Sequence, residues 1–121
     1  MTHPEHVDQL PPDLFPTLAV CWATMDELQT EDALEELQDF VAWVVDRYAL
    51  DHRVIPGCWD NHGALIEELS ALRTAWIAAF CVTARPEAPL DWHQNFLFAR
   101  QRLSDWASRT GCRPGEHRPD R

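Results

Sequence analysis

Apolar residues recur every three or four positions in three separate stretches of the chain, and this spacing predicts three amphipathic helices. The first stretch has its apolar positions at Leu34, Leu37, Phe40, Val41, Val44, Val45 and Tyr48. We predict a helix there that has Thr30 as its N-cap and ends at about Leu50. Thr30 is a residue type that commonly caps helices, and Glu31 and Asp32 place negative charge in the first turn, where the helix dipole favours it.

The second stretch predicts a helix from about His62 to about Val82. Its apolar face consists of Leu65, Ile66, Leu69, Leu72, Trp76, Ala79 and Phe80. Pro86 and Pro89 follow shortly afterwards, and two prolines so close together are typical of a loop. The second helix is therefore expected to end before them.

The third stretch predicts a helix that begins at Asp91, because Asp91 and Gln94 have the spacing of a capping box. Its apolar seam, at steps of four, three, four and three residues, is Trp92, Phe96, Ala99, Leu103 and Trp106. Gly111 is suited to end this helix. Strand-like alternation of useful length is missing from the sequence. We therefore predict an all-α fold, a small bundle that contains an antiparallel helical hairpin.

A chain of 121 residues is long enough to bury one hydrophobic core. Residues 1–16 contain four prolines in a polar and acidic setting. We predict a flexible arm over residues 1–13, a single helical domain over residues 14–117 and a tail over residues 118–121. A short helix is favoured within residues 17–28, although the short apolar run there also fits an extended segment.

The charge of the chain is strongly negative and unevenly distributed. The formal net charge is −10, and residues 1–46 contain eleven acidic residues and no Lys or Arg. Residues 47–121 contain all ten basic residues, every one an Arg, against nine acids. A surface this acidic repels phosphate, which disfavours nucleic acid as a partner and favours a basic protein surface. A role in solubility alone also explains the acidity.

A membrane role and secretion are not expected from the sequence. No run approaches the roughly 20 apolar residues that span a bilayer. Residues 1–5 lack the basic region followed by an apolar stretch that begins a secretory signal. We therefore expect a cytoplasmic location.

The four cysteines fall into two pairs by their surroundings. Cys21 and Cys81 lie among apolar residues, where cysteine behaves as a small core residue. Cys58 and Cys112 lie at the edges of predicted helices, each followed by a histidine, His62 or His117. In a chain expected to be cytoplasmic, such cysteines favour metal binding over disulfides.

The predicted topology brings these four residues together. Two helices of about twenty residues, joined by a short loop, usually pack as antiparallel neighbours. The start of the second helix then lies beside the end of the third. Two thiolates and two imidazoles suit tetrahedral zinc with no open position, so we predict a structural zinc site made of Cys58, His62, Cys112 and His117.

Details of the zinc prediction remain open at the level of sequence. Asp60 or Glu116 is a candidate acceptor for a ligand imidazole N–H. The alternatives to zinc are unpaired side chains with a solvated tail, or a disulfide between Cys58 and Cys112.

Residue sets that would indicate an enzyme are missing from the sequence. The serines of the predicted helices, Ser70, Ser104 and Ser108, have no glycine-rich elbow, and four glycines supply no phosphate-binding loop. His52 is expected to be solvated in a loop and His93 to pack or cap its helix. We therefore expect no enzymatic activity.

Five segments together resemble a known group of proteins. They are residues 40–48 (FVAWVVDRY), 58–62 (CWDNH), 68–76 (ELSALRTAW), 92–93 (WH) and 112–117 (CRPGEH). Over residues 36–117 the chain is similar to small uncharacterised proteins of actinobacterial plasmids, phages and integrative elements. That family has a Cys-Trp-x-x-His-type segment and a closing Cys-x4-His, and Gly63 stands where many of its members have Pro. The resemblance implies an accessory role in a mobile element and supplies no activity.

The sequence thus favours a non-enzymatic, zinc-stabilised helical module that binds a protein partner. One alternative is a nucleic-acid-binding regulator that uses Arg100, Arg102, Arg109, Arg113 and Arg118. Another is an acidic decoy that inhibits a host protein through the acids of residues 1–46.

Overall fold

The computed structural model describes residues 19–120 and contains three helices. They are α1 (Glu27–Arg47), α2 (Gly63–Phe80) and α3 (Ala88–Thr110), with short 3-10 turns at Trp22–Thr24 and Trp59–Asn61. Residues 19–120 contain no strand, so the predicted all-α fold is confirmed. The predicted arm, residues 1–13, lies outside the described residues, as do residues 14–18.

α1 begins earlier than predicted because a capping box lies upstream of Thr30. The carboxylate of Asp26 accepts a hydrogen bond from the Gln29 backbone N–H at 2.8 Å, and the Gln29 side chain accepts one from the Asp26 N–H at 3.0 Å. This pair satisfies two backbone donors that would otherwise be unpaired. The prediction of Thr30 as N-cap is therefore wrong, and Thr30 lies inside the helix. Before Asp26 the described chain forms only the 3-10 turn, in place of the short helix favoured there.

α2 and α3 pack as the predicted antiparallel hairpin. The indole N–H of Trp92, near the start of α3, donates to the carbonyl of Leu72 in α2. Further along, Arg102 donates two hydrogen bonds to the carboxylate of Glu68, at 2.9 and 2.8 Å. Since the residue numbers fall along α2 as they rise along α3, the two helices run in opposite directions.

α3 also begins earlier than predicted, at Ala88, with Glu87 as its N-cap. Pro89 lies in the first turn, where a missing N–H and a fixed φ are tolerated. The predicted capping box at Asp91 is therefore wrong, because Asp91 is already inside the helix. The apolar seam of α3 ends at Ala107, which is buried. Trp106, the predicted last residue of that seam, is 38% exposed and lies beneath the guanidinium of Arg109. Ala107, four residues after Leu103, thus takes the buried position that was predicted for Trp106.

α1 contributes aromatic and aliphatic residues to the same core. Its buried residues are Leu37, Phe40, Val41 and Val44. Tyr48, at its end, contacts the rings of Trp92 and Phe96 in α3. None of the helices within residues 19–120 combines the length and the apolar character needed to cross a bilayer.

Two cysteines do not occupy the core positions predicted for them. Cys21 is exposed, because it precedes the 3-10 turn and the following Trp22 packs against the core instead. Cys81 is half-buried at the end of α2, with its sulfur 3.3 Å from the carbonyl oxygen of Ala78. The apolar neighbours in sequence therefore do not carry these two thiols into the interior.

Candidate metal site

The first half of the site is built by the turn that leads into α2. Cys58 precedes the 3-10 turn Trp59–Asn61, and the buried indole of Trp59 fixes that turn to the core. His62 closes the turn with its N–H on the Trp59 carbonyl and is also the N-cap of α2. The His62 side chain is almost fully buried, with 1% of its surface exposed. A polar ring at such a position requires partners for both of its nitrogens.

The second half is built by a tight turn after α3. Gly111 ends the helix with φ of 72°, the left-handed conformation that glycine adopts most easily. The chain then folds back at Pro114 and Gly115, where Arg113 and Glu116 exchange backbone hydrogen bonds of 2.9 and 2.8 Å. Gly115 has φ of 76°, as the third residue of a type II turn requires. This turn sets Cys112 and His117 side by side.

The structure brings all four predicted ligands together. One ligand atom from each of Cys58, His62, Cys112 and His117 lies within 4.8 Å of every other. Nε2 of His62 lies 3.5 Å from Sγ of Cys58 and 3.4 Å from Sγ of Cys112. Nδ1 of His117 lies 3.6 Å from Sγ of Cys112. The imidazoles of His62 and His117 have their centroids 4.9 Å apart.

The three sulfur-to-nitrogen distances fit the edges of a tetrahedron around a metal ion. Bonds of about 2.3 Å to sulfur and about 2.0–2.1 Å to nitrogen, at tetrahedral angles, separate sulfur from nitrogen by roughly 3.5 Å. The three measured sulfur-to-nitrogen distances, 3.5, 3.4 and 3.6 Å, agree with that value. The sulfurs of Cys58 and Cys112 are not joined in a disulfide. The cluster is therefore compatible with a four-coordinate ion.

A carboxylate holds the buried ligand ring in the orientation that metal binding needs. Nδ1 of His62 lies 2.6 Å from Oδ1 of Asp120, which leaves Nε2 facing the two sulfurs. A carboxylate that accepts the second N–H of a ligand imidazole is a common feature of metal sites, because it fixes the tautomer and orients the ring. The nearby backbone N–H of Gly63, the first residue of α2, also favours the ionised form of Asp120 and so lowers its pKa. Asp120 thus links the tail to the start of α2 through His62.

Asp60 and Glu116, the acceptors suggested by the sequence, are not the partners of the buried ring. Asp60 instead accepts a hydrogen bond from the Gln38 side chain of α1 at 3.0 Å. The position of Asp120 was missed because it belongs to the predicted tail, residues 118–121. Its only sequence signal is a carboxylate three residues after a candidate ligand, His117.

The two cysteines differ in their acidity. Desolvation acts to raise the pKa of the Cys112 thiol, but the backbone N–H of Arg118, which donates to Sγ at 3.0 Å, and further hydrogen bonds lower that pKa to about 6. Burial, followed by the nearby Cys112, raises the pKa of Cys58 above its usual value. Cys112 is therefore the thiolate of the pair at neutral pH.

The pKa of His62 also reflects its partners. Burial acts to lower it, but the carboxylate of Asp120 and the sulfur of Cys112 outweigh that effect and raise it. The hydrogen bond with His62 in turn lowers the pKa of Asp120. The pair behaves as a charge-assisted hydrogen bond.

The remaining candidate histidines lie apart from the four ligands. His93 is exposed on α3 and its Nε2 lies 3.0 Å from the Tyr48 hydroxyl. It packs edge-on to the rings of Tyr48 and Trp92 and does not cap the helix. His52 is exposed, as predicted, on the rim of an open cleft that also borders Cys58 and His117.

The chain matches no protein-family model, no curated protein and no solved structure.

Proposed function

We propose that this protein is a non-enzymatic helical module, stabilised by a structural zinc ion, that acts by binding another protein. The observation that supports the zinc assignment is the convergence of two sulfurs and two imidazole nitrogens within 4.8 Å of one another, with three sulfur-to-nitrogen distances of tetrahedral size. Two thiolates with two imidazoles suit zinc better than the hard cations, which prefer oxygen ligands.

The proposed role of the ion is structural because the protein supplies all four ligands. A catalytic zinc keeps one position for water or substrate, and a Cys2His2 set leaves none. Bound there, zinc would supply a crosslink between the start of α2 and the turn after α3. His62 and Cys58 would hold it from one side and Cys112 and His117 from the other.

The surface of α1 supports the proposal of a protein partner. Its acidic residues, all exposed, are Glu27, Glu31, Asp32, Glu35, Glu36, Asp39 and Asp46, against the single Arg47. Such a face attracts a basic surface and repels a phosphate backbone. An accessory role in a mobile element, which rests on the family resemblance, is part of the same proposal.

The arginine contacts weigh against the nucleic-acid alternative. Arg102 is paired with Glu68, Arg109 lies over the ring of Trp106, and Arg100 lies 6.0 Å from the centroid of Phe96. Three of the five arginines of the suggested basic strip are thus already in contact with carboxylate or aromatic groups. The acidic-decoy alternative draws on the same α1 face and is a special case of protein binding.

Elemental analysis tests the zinc assignment. Protein purified without chelators or affinity capture on metal resin is expected to contain close to one zinc per chain, and the Cys112→Ser variant far less. Cys21→Ser, which changes an exposed cysteine outside the cluster, is the matched control and is expected to keep its zinc. Wild-type protein that carries only traces of zinc would contradict the assignment.

A second experiment separates protein binding from nucleic-acid binding. A gel shift on duplex DNA at low salt is expected to show no complex. A shift that weakens steeply with salt would support the arginine strip instead, because phosphate contacts release counterions.

A further inference from the structure

A cleft between α1 and α2 combines aromatic rings with carboxylates on an exposed surface. Its volume is about 310 Å³. The lining residues are Glu36, Asp39, Phe40 and Trp43 from α1, and Arg73, Trp76 and Ile77 from α2. Each set has the three- and four-residue spacing that places side chains on one face of a helix.

Three aromatic rings form the inner wall of this cleft. The ring centroids of Trp43 and Trp76 are 5.1 Å apart, and that of Phe40 lies 6.3 Å from the first and 5.7 Å from the second. Phe40 is buried and fixed by the core, whereas Trp43 is 41% exposed. The electron-rich faces of tryptophan rings attract cations.

The charged residues at the rim give the cleft a negative balance. Glu36 and Asp39 are exposed, and neither side-chain carboxylate has an ion-pair or hydrogen-bond partner within residues 19–120. Arg73 is the single basic residue of the lining, and its guanidinium does not lie over either tryptophan ring. Two carboxylates against one guanidinium leave a net negative charge, and the other acids of α1 add to it.

We infer that this cleft binds an arginine side chain from a basic segment of a partner protein. A guanidinium is planar, stacks on aromatic faces and pairs with carboxylates through two parallel hydrogen bonds. Trp43 and Trp76 supply the aromatic faces, and Glu36 with Asp39 supply the carboxylates. The inference rests on the proposed protein-binding role and names the chemistry of the partner.

The probe for this inference is a synthetic peptide of alternating Arg and Gly residues, titrated into the zinc-loaded full chain. Nitrogen-15 labelling of the tryptophans gives one indole N–H signal for each of the six rings. The signals of Trp43 and Trp76 are expected to shift with the peptide, and that of Trp106, on α3, to stay. A peptide of alternating Lys and Gly is expected to bind several-fold more weakly, because an ammonium does not stack.

Charge variants of the rim provide matched controls. Glu36→Gln and Asp39→Asn are each expected to weaken peptide binding about two- to fivefold. Glu35→Gln removes the same charge from the neighbouring position, outside the cleft, and is expected to change binding less than either. Arg73→Gln removes the competing positive charge and is expected to strengthen binding. A general attraction to an acidic protein would instead weaken binding equally in the Glu35, Glu36 and Asp39 variants.

Trp43→Phe and Trp43→Ala test the aromatic wall, with circular dichroism to confirm that each variant is folded. The alanine variant is expected to weaken binding about tenfold and the phenylalanine variant less. Equal effects of Glu35→Gln and Glu36→Gln, or shifts at Trp106 that equal those at Trp43, would overturn the inference. Those outcomes leave the zinc content of the same samples unaffected, so the failure of this inference is distinguishable from failure of the zinc assignment.

Discussion

His62 contributes both to the candidate metal site and to the fold, because its two ring nitrogens have different partners. Nε2 faces both cysteine sulfurs, and Nδ1 lies 2.6 Å from the carboxylate of Asp120. A ring held at one nitrogen is already oriented for coordination at the other. The position of His62 as the N-cap of α2 means that this orientation is also tied to the helix start.

Asp120→Asn is expected to lower zinc affinity about ten- to a hundredfold, the usual effect of removing such a carboxylate partner. The amide keeps the shape of the side chain but loses the charge that holds the His62 ring. Affinity is measured by competition with a chromophoric zinc chelator.

Asp60→Asn is the control for that measurement, because Asp60 bonds to Gln38 rather than to a ligand ring. Its zinc affinity is expected to stay close to that of the unchanged protein. Equal losses in the two variants would show that net charge near the site matters and that the hydrogen bond to His62 does not.

The acidity of Cys112 leads to a prediction for the metal-free protein. Because the thiolate is the reactive form, a pKa of about 6 implies that alkylation of Cys112 by iodoacetamide rises between about pH 5 and pH 7 and then levels off. Cys58, whose pKa is raised by burial above the usual value for a thiol, is expected to react slowly at pH 7 and faster only in alkali. Peptide mass spectrometry after brief alkylation measures both rates. Similar rates for the two cysteines at pH 7 would contradict the hydrogen-bonded arrangement around Cys112.

At the scale of elements, the start of α2 and the end of α3 determine where the four Cys and His side chains lie. The end of α3 was predictable, since a glycine after the last apolar position is a strong stop signal. The start of α1 at Asp26 carried a readable signal as well, an Asp followed three residues later by Gln. The start of α3 carried no such signal in the sequence, because Pro89 suits both a loop and the first turn of a helix. Choosing between them depends on the packing of α3 against α2.

Gly111→Ala is expected to destabilise the protein by about 1–2 kcal/mol, since φ is 72° and an L-residue is strained there. The added Cβ would also lie 3.2 Å from Cδ of Arg118, whose side chain is flexible enough to move. Urea denaturation measures the change in the free energy of unfolding. Gly57→Ala is the matched control, since its Cβ meets nothing within 4 Å and its φ is not positive, and it is expected to be neutral or slightly stabilising.

At the scale of the whole molecule, the sequence predicted which four residues come together in the site. It did not predict which other groups hold their side chains in place. Two Cys-His pairs, one before and one after a predicted pair of helices of similar length, were enough to predict a cluster at the open end of a hairpin. The contribution of Asp120 and the cleft between α1 and α2 both depend on tertiary packing. The contact between the rings of Trp43 and Trp76, in particular, depends on how α1 packs against α2. The apolar periodicity of a single helix does not determine that packing.

The zinc content and thermal stability of cysteine variants test whether Cys58, before α2, and Cys112, after α3, bind the same ion. Cys58→Ser and Cys112→Ser are each expected to lower the thermal midpoint by a similar amount, and the double variant by little more. At free zinc a hundred times its dissociation constant, loss of the ion removes about 2.7 kcal/mol. A pair made of Cys58→Ser and Cys21→Ser is the control and is expected to be additive. Additive losses for Cys58 and Cys112 would show that the two halves do not share an ion.

The sequence separation across the site also affects how long the folded protein lasts. His62 and Cys112 are 50 residues apart, and bringing such distant positions together has an entropic cost that hairpin folding must overcome first. An ion that bridges the two ends only after α2 and α3 have paired would act after the main folding barrier. Contacts formed after that barrier slow unfolding and leave the folding rate nearly unchanged. Zinc at this position would therefore extend the lifetime of the folded chain rather than hasten its formation.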